Sequence, residues 1–516
     1  MKSAVHSNRG VVLESPGARR PGVWVYVAFL IAVLAGLVMS FIGRNLIDHF
    51  GTVATFGLIL AGPPFAVLLF VGLRHSVSKF RALWSQVRWW HWLWFVLLAS
   101  NFVFRTRDIQ SIQENPVDAA AIYRISLVGL TAFTLMVRLA LRRPLWMESL
   151  FRGIVGVMAV YALLGVASTL WSVNPPWTLY KSLEYLVDVA LLAAVLETVR
   201  SAESYEIFLD WNWVLCGSLV MLAWLEAPIW PEEALETGYM QGILKVRLSG
   251  VFPGQGFNSL GTYGAILSII AVCRLLPVAG RKFDRAWYLL ILALGMVTMV
   301  FSQTRSAIGG FVVGLVLLLF FTKRLRLAAL LGAGSAVVLA FTSLGPVVVE
   351  FLQRGQSTEQ MASLTGRLDW WGVAWDAFKL HPLTGYGAFA SSLVVFPKLG
   401  VQEITPLHSD YVETLVGIGI WGPLLLLVGL LMSWWVLIKA IRRFPPTSLE
   451  YQLTAECIAV LGILSVRSAV MGVIASHPPT WYFAVIGFAE YLRRRYALAS
   501  VPVPSPVYAV GATAAR

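Results

Sequence analysis

Charge is what this chain has least of. Of its 516 residues only 13% are Asp, Glu, Lys or Arg, where a soluble protein of this length carries about a quarter. The shortage excludes a large soluble α-bundle, because segments such as 22–41 and 307–321 have no polar face to offer to water. Cysteine is nearly absent too. Cys216, Cys273 and Cys457 all fall in apolar runs and match no metal or redox spacing, so they read as small core hydrophobes and say nothing about the redox compartment. Also missing are an Asp-x-Asp pair, a His-Glu-x-x-His helix and a glycine-rich phosphate loop with Lys. No metal and no cofactor are expected. The first 21 residues are polar and lead into a full-length apolar run, which is unlike a cleavable signal peptide.

What is present is apolar length. The chain is 58% hydrophobic, with a mean hydropathy of +0.73. Runs of about 18 to 22 apolar residues recur, each able to cross a hydrocarbon core of about 30 Å. About 14 such spans centre near residues 31, 62, 96, 131, 161, 189, 216, 267, 295, 314, 336, 430, 463 and 484. The expected fold is all-α, a polytopic integral membrane bundle of about 12 to 14 transmembrane helices.

Basic clusters alternate along these spans. Arg74, Lys79, Arg81 and Arg88 follow the second span; Arg138, Arg142, Arg143 and Arg152 follow the fourth; further clusters sit at 274–285, 323–326, 439–443 and 493–495. About two-thirds of the 40 Lys and Arg fall on one side by this alternation, which makes that side cytoplasmic, with both termini there. The net charge of +13 is therefore a topological signal, and nucleic acid is excluded as a partner. The expected organisation is a cytoplasmic tail (1–21), spans one to eleven (22–347), an outward-facing loop (348–416), three more spans (417–495) and a disordered cytoplasmic tail (496–516).

The loop is the informative part. A membrane protein needs only a few residues to turn round, so a long ordered-looking stretch between spans points to function. It holds Gly366-Arg367-Leu368-Asp369-Trp370-Trp371 and His408-Ser409-Asp410-Tyr411. Arg247, Arg305 and Arg367 lie on the outward side or at its boundary, where the charge rule gives no reason for them; Arg354 is outside too, in no recognisable motif. Guanidinium forks suit a diphosphate, whose charge is spread over several oxygens. His408 stands in a polar cluster with Asp410, Tyr411 and Glu413, and is the candidate general base, with Asp410 or Glu413 fixing its tautomer. His381, ahead of Pro382, reads as a turn residue. Leu368, Trp371, Trp375 and Phe378 recur at helical spacing, which predicts an amphipathic helix at the membrane interface, there either to roof the site or simply to pack against the bundle. Inside the spans, Glu184 and Asp188 share a helix face, and Arg467 is expected to pair with a carboxylate.

Four stretches, in order, resemble the O-antigen ligase and polysaccharide polymerase superfamily of bacteria. They are Arg247–Phe252, Ser302–Ala307, Gly366–Gly387, and His408–Leu415 running into Gly417, Gly419 and Gly422. The resemblance covers roughly residues 240 to 440, and departs from the family at 252–258, where members often show a tight Pro-Asn pair. It implies a metal-independent glycosyltransferase of the bacterial inner membrane, serving lipopolysaccharide or exopolysaccharide assembly from its periplasmic face. Such enzymes move a glycan from an undecaprenyl-diphosphate carrier to an acceptor hydroxyl on lipid A–core or on another glycan. On this chain the likeness implies catalytic roles for Arg305, Arg367 and His408, and substrate contacts for Arg247, Trp371, Asp410, Tyr411 and Glu413. Ligase and polymerase differ only in the acceptor, and both stay open. A flippase for lipid-linked sugars would call for charges lining the bundle and internal repeats, and no repeat is visible; a non-catalytic assembly subunit would make His408 replaceable.

Overall fold

The computed structural model describes residues 81–499, except 82, parts of 104–116, 143–145, 238–243, 277–284, parts of 358–365, and 402. The spans expected near 31 and 62, the N-terminal tail and the C-terminal tail from residue 500 lie outside the described residues; 496–499, expected in the disordered tail, continue the last helix.

Within hydrocarbon every backbone N–H and C=O must be satisfied inside its own segment, and the chain answers with helix almost throughout. The first half holds α1 (Trp89–Ala99), α2 (Ala119–Arg142), α3 (Gly153–Ala167), α4 (Pro175–Thr198) and α5 (Ala202–Glu226). Then come α6 (Phe257–Leu275), α7 (Arg285–Phe301), α8 (Arg305–Phe321), α9 (Leu325–Phe341) and α10 (Leu344–Gln353). The long loop contributes α11 (Arg367–Leu380), α12 (Ser391–Lys398) and α13 (Asp410–Ile418), and the chain returns through α14 (Trp421–Arg443), α15 (Leu449–Val470) and α16 (Thr480–Ala499). Each span expected between residues 96 and 484 falls on one of these helices. Among the described residues six helices, α2, α3 with its continuation to Trp171, α5, α6, α14 and α15, are long and apolar enough to cross a membrane; the pair α9 and α10, bent by 96°, makes a seventh if it counts as one span. The molecule is a multi-pass, all-α membrane protein. The described strands are two-residue pieces, Arg107–Asp108 against Glu403–Ile404 and Leu235–Glu236 against Arg247–Leu248.

The bundle closes around α15 and α6, its most enclosed spans. Lipid tails are as apolar as Leu, so helices associate by close approach rather than by hiding from water. Small residues make that approach possible. A β-carbon on Gly314 of α8 would lie 2.7 Å from the Ala459 carbonyl of α15, and one on Gly264 of α6 would lie 2.7 Å from the Gly295 carbonyl of α7. Buried charges are locked in pairs: Asp188 with His477 (2.7 Å), Glu184 with Lys181 (2.9 Å), and Arg274 with both Glu456 (2.9 Å) and Asp210 (2.6 Å). Arg467 departs from the expected carboxylate pairing. It donates to the Ser306 hydroxyl and, at 2.9 Å, to the Asn258 carbonyl. The nearby Asp410 carboxylate is already taken up by backbone N–H groups.

Helix α11 is amphipathic, with its faces placed differently from the sequence reading. Trp370, Ala374 and Ala377 turn inward onto Val395, Phe396, Leu407 and Val416, while Leu368 and Trp375 are exposed. The small alanines let α11 sit close to its neighbours, so the bulky stripe is largely the outer face.

Orientation can be tested with the native cysteines in place, because all three are buried. Cysteine at exposed Asp376 is expected to react with an impermeant thiol reagent from outside, and cysteine at exposed Thr447 only after permeabilisation. Ser391, in the same loop as Asp376, is buried and unsuited. The opposite labelling pattern would invert the orientation that the basic clusters predict.

Candidate active site

The break between α7 and α8 sets up one side of the site. Gln303 takes a left-handed backbone (φ 51°), and its amide donates to the carbonyls of Leu244 (3.2 Å) and Val246 (2.8 Å). That ties down the segment carrying Arg247. The Arg247 guanidinium bonds its cross-strand neighbour Glu236 and lies 3.3 Å above the Phe257 ring. Two residues after Gln303, Arg305 opens α8. It donates to the Leu352 carbonyl (3.2 Å) and the Gln356 side chain (2.7 Å), which flank Arg354.

Arg467 continues the chain of contacts through Ser306 and Asn258. One turn further on, the Val470 carbonyl accepts from Arg367 at 2.8 Å. Arg367 is the first residue of α11, whose N-cap Gly366 has φ 81°, a backbone region that favours glycine. Five arginines from five separate segments thus converge at one end of the bundle. Their mutual repulsion shows in their proton affinities. Arg354 is lowered to about 10 by burial and by the charges of Arg305, Arg247 and Arg367, and Arg367 is lowered by burial and by Arg305.

His408 sits at the edge of this field in a left-handed backbone (φ 56°). Its ring stacks on Trp370, with centroids 5.9 Å apart and planes 24° from parallel. Trp371 donates its indole N–H to the adjoining Leu407 carbonyl (2.9 Å), so both tryptophans seat the histidine segment. Nδ1 lies 3.2 Å from the Met471 sulfur. A thioether can only accept, so this contact selects the tautomer protonated on Nδ1 and leaves the Nε2 lone pair basic. Burial, reinforced by the charges of Arg367 and Arg467, lowers the ring's pKa to about 3 and keeps it neutral.

The expectation that a neighbouring carboxylate orients His408 is therefore corrected, since Met471 holds that place. Asp410 is wholly buried beneath the site. Its carboxylate accepts from the backbone N–H groups of Val473 (2.9 Å), Ile474 (3.1 Å) and Ala475 (3.0 Å). Burial raises it to about 7, against the pull of those three donors. Tyr411 accepts a hydrogen bond from Ser468 (3.3 Å). Glu413 accepts from the backbone at Leu407 and His408, yet is raised to about 8 by burial and by Asp410; its Oε1, without a hydrogen-bond partner, borders a cavity lined by Tyr161, Phe389, Gly417 and Ala475. His381 packs edge-on against Tyr386 in the turn after α11.

The segment that the sequence reading missed is 471–479, between α15 and α16. It touches His408 through Met471 and Asp410 through three N–H groups, and it is fixed beyond them by His477, held between Asp188 and Ser100 (both 2.7 Å). Its sequence offers only a glycine and a Pro-Pro pair as signals.

These features define a polytopic helical membrane protein with a cationic, imidazole-bearing site at one end of its bundle. Residues 289–427 match the family model described as O-antigen ligase, and over that segment the chain is O-antigen ligase-like. The match takes in Arg305, Arg354, Arg367 and His408, and leaves Arg247 and Arg467 outside. A search of curated proteins finds no match.

Asp410→Ala leaves three buried N–H groups without an acceptor, at a cost of about 1 to 3 kcal/mol each. A large drop in melting temperature of the purified protein is expected, with a smaller one for Asp410→Asn, which keeps one acceptor oxygen. An Asp410→Ala protein as stable as the parent would show that segment 471–479 is seated by other contacts.

Proposed function

We propose that the protein is a membrane glycosyltransferase that moves a glycan from an undecaprenyl-diphosphate carrier to an acceptor hydroxyl at the periplasmic face of the inner membrane. The observation that carries this reading is a neutral imidazole standing within the field of several arginines. Arg247, Arg305 and Arg367 would hold the diphosphate. The acceptor oxygen attacks the anomeric carbon, the bond from that carbon to the diphosphate breaks, and its electron pair leaves on the diphosphate. A diphosphate is already a good leaving group, so the chemistry needs positive charge more than a general acid. The acceptor hydroxyl must lose its proton as it attacks, and Nε2 of His408 is placed to take it.

Our reading takes lipid A–core as the acceptor, which makes the protein a ligase; the family match supports ligase and polymerase alike. Deletion of the gene tests this directly. Accumulation of full-length, unligated glycan on the carrier fits a ligase; accumulation of single repeats would assign a polymerase instead.

Arg367→Lys and Arg305→Lys keep the charge and lose the bidentate fork, so both should impair transfer severely while the protein stays folded in the membrane. Full activity in both would remove the diphosphate clamp.

His408→Ala should lower the rate by about 10² to 10⁴ while donor binding survives. Normal transfer with reduced thermal stability would make His408 a structural residue and turn attention to Glu413. The pH profile adds a second check. Burial, with the charges of Arg367 and Arg467 adding to it, depresses the free ring's pKa to about 3, so the acid limb of kcat/KM due to His408 should lie well below pH 6.5. Bound diphosphate offsets those charges, so the limb in kcat should move upward. A His408 limb near 6.5 in both profiles would show that neither burial nor the arginines act on the ring.

A further inference from the structure

Arg354 belongs to no recognisable motif, yet three features set it apart. It ends α10 in a left-handed backbone (φ 54°), a conformation that disfavours a residue with a β-carbon, although Gly355 follows it directly. Its half-buried side chain makes no hydrogen bond or ion pair among the described residues. Its charge lies against those of Arg305, Arg247 and Arg367. The grip of Arg305 on Leu352 and Gln356 fixes the backbone on both sides of it. A guanidinium packed against like charges, without a carboxylate, is unfavourable in the empty protein and becomes favourable when a polyanion enters.

The reaction proposed above supplies such an anion in two charge states. The bound donor is a diphosphate diester. As the sugar's anomeric C–O bond breaks, the electron pair stays on the diphosphate oxygen. The acceptor oxygen forms the new bond to the anomeric carbon, and its proton passes to His408. The carrier is left as a diphosphate monoester with one more negative charge. Arg247 shares its charge with Glu236, so the clamp of Arg247, Arg305 and Arg367 carries about two net charges, enough for the diester. Arg467 is buried and held by Ser306 and Asn258. We infer that Arg354 is the leaving-group arm of the site, the cation that answers the charge appearing on the terminal phosphate as the glycosyl bond breaks. The inference rests on the glycosyl-transfer reading and names the residue that distinguishes product from donor.

The test compares two soluble probes on the purified full chain, inorganic pyrophosphate with its free terminal phosphate and a short P1,P2-dialkyl diphosphate diester. The parent protein should bind pyrophosphate about tenfold more tightly than the diester, the scale of one added charge-assisted contact. Arg354→Gln should lose that preference with diester binding unchanged, and Arg354→Lys should keep part of it. Arg354→Gly separates function from folding, because glycine relieves the left-handed backbone: it should melt at a higher temperature than the parent and still lose the preference. Retained preference in Arg354→Gln and Arg354→Gly overturns the leaving-group arm while leaving the clamp intact, provided that Arg367→Lys weakens both probes. An equal loss for both probes also overturns it, since Arg354 would then be a general source of charge. Binding of neither probe by the parent protein would strike at the glycosyl-transfer reading itself.

Discussion

Everything at the loop end of this bundle depends on one buried carboxylate. Asp410 reaches under the site and gathers the N–H groups of Val473, Ile474 and Ala475, joining the start of α13 to the segment between α15 and α16. That segment has no regular structure of its own, and an irregular backbone at this depth is tolerated only if its polar groups find partners. Asp410 satisfies three of them. Tyr185 and Tyr161 bond the carbonyls of Ile474 and Ala475, and His477 is fixed by Asp188 and Ser100. The segment so anchored offers Val470 to Arg367 and Met471 to His408. The positions of the two most telling side chains of the long loop are thus dictated by a stretch about 60 residues further along the chain.

Electrostatics gives this scaffold its character. Arg367 and Arg467 donate to carbonyl and hydroxyl oxygens. Neutral acceptors orient a guanidinium without cancelling its charge, so a positive field survives where a carboxylate would have quenched it. Burial holds His408 neutral, and the same field adds to it. A single arrangement therefore does two things that a transfer to a hydroxyl needs: it attracts an anion and keeps a nearby base unprotonated. At the opposite end, Arg274 shows the contrasting use of arginine, closed between Glu456 and Asp210. That pairing locks helices and leaves no field.

Long motifs were legible before the fold, and their neighbours were not. Ser302–Ala307 stood out as a motif because of Arg305, while the task of Gln303, donating to two carbonyls next to Arg247, could be seen only once the two segments met. Asp410 and Glu413 looked like partners of His408 because they are close in sequence. Helix α13 starts at Asp410, whose carboxylate takes the N–H groups of 473–475, while Glu413 borders the Tyr161 cavity and bonds only the backbone at Leu407 and His408; the His408 ring itself meets Met471 and Trp370. Arg467 and Arg354 carried no readable motif, and the first was assigned the wrong kind of partner.

Composition and the length of the apolar runs determined that this chain is an all-α membrane protein, since hydrocarbon admits few other solutions for the backbone. The order of short motifs pointed to the family that residues 289–427 match, and residue type alone marked arginine and histidine as candidates for the chemistry. Only the tertiary structure decided which arginines share a field, which carboxylate is an anchor, and that a methionine sets the tautomer of His408. Helical periodicity reports which face of one helix is apolar. It carries no information on where the irregular segments between helices come to rest, and in this protein those segments hold the site.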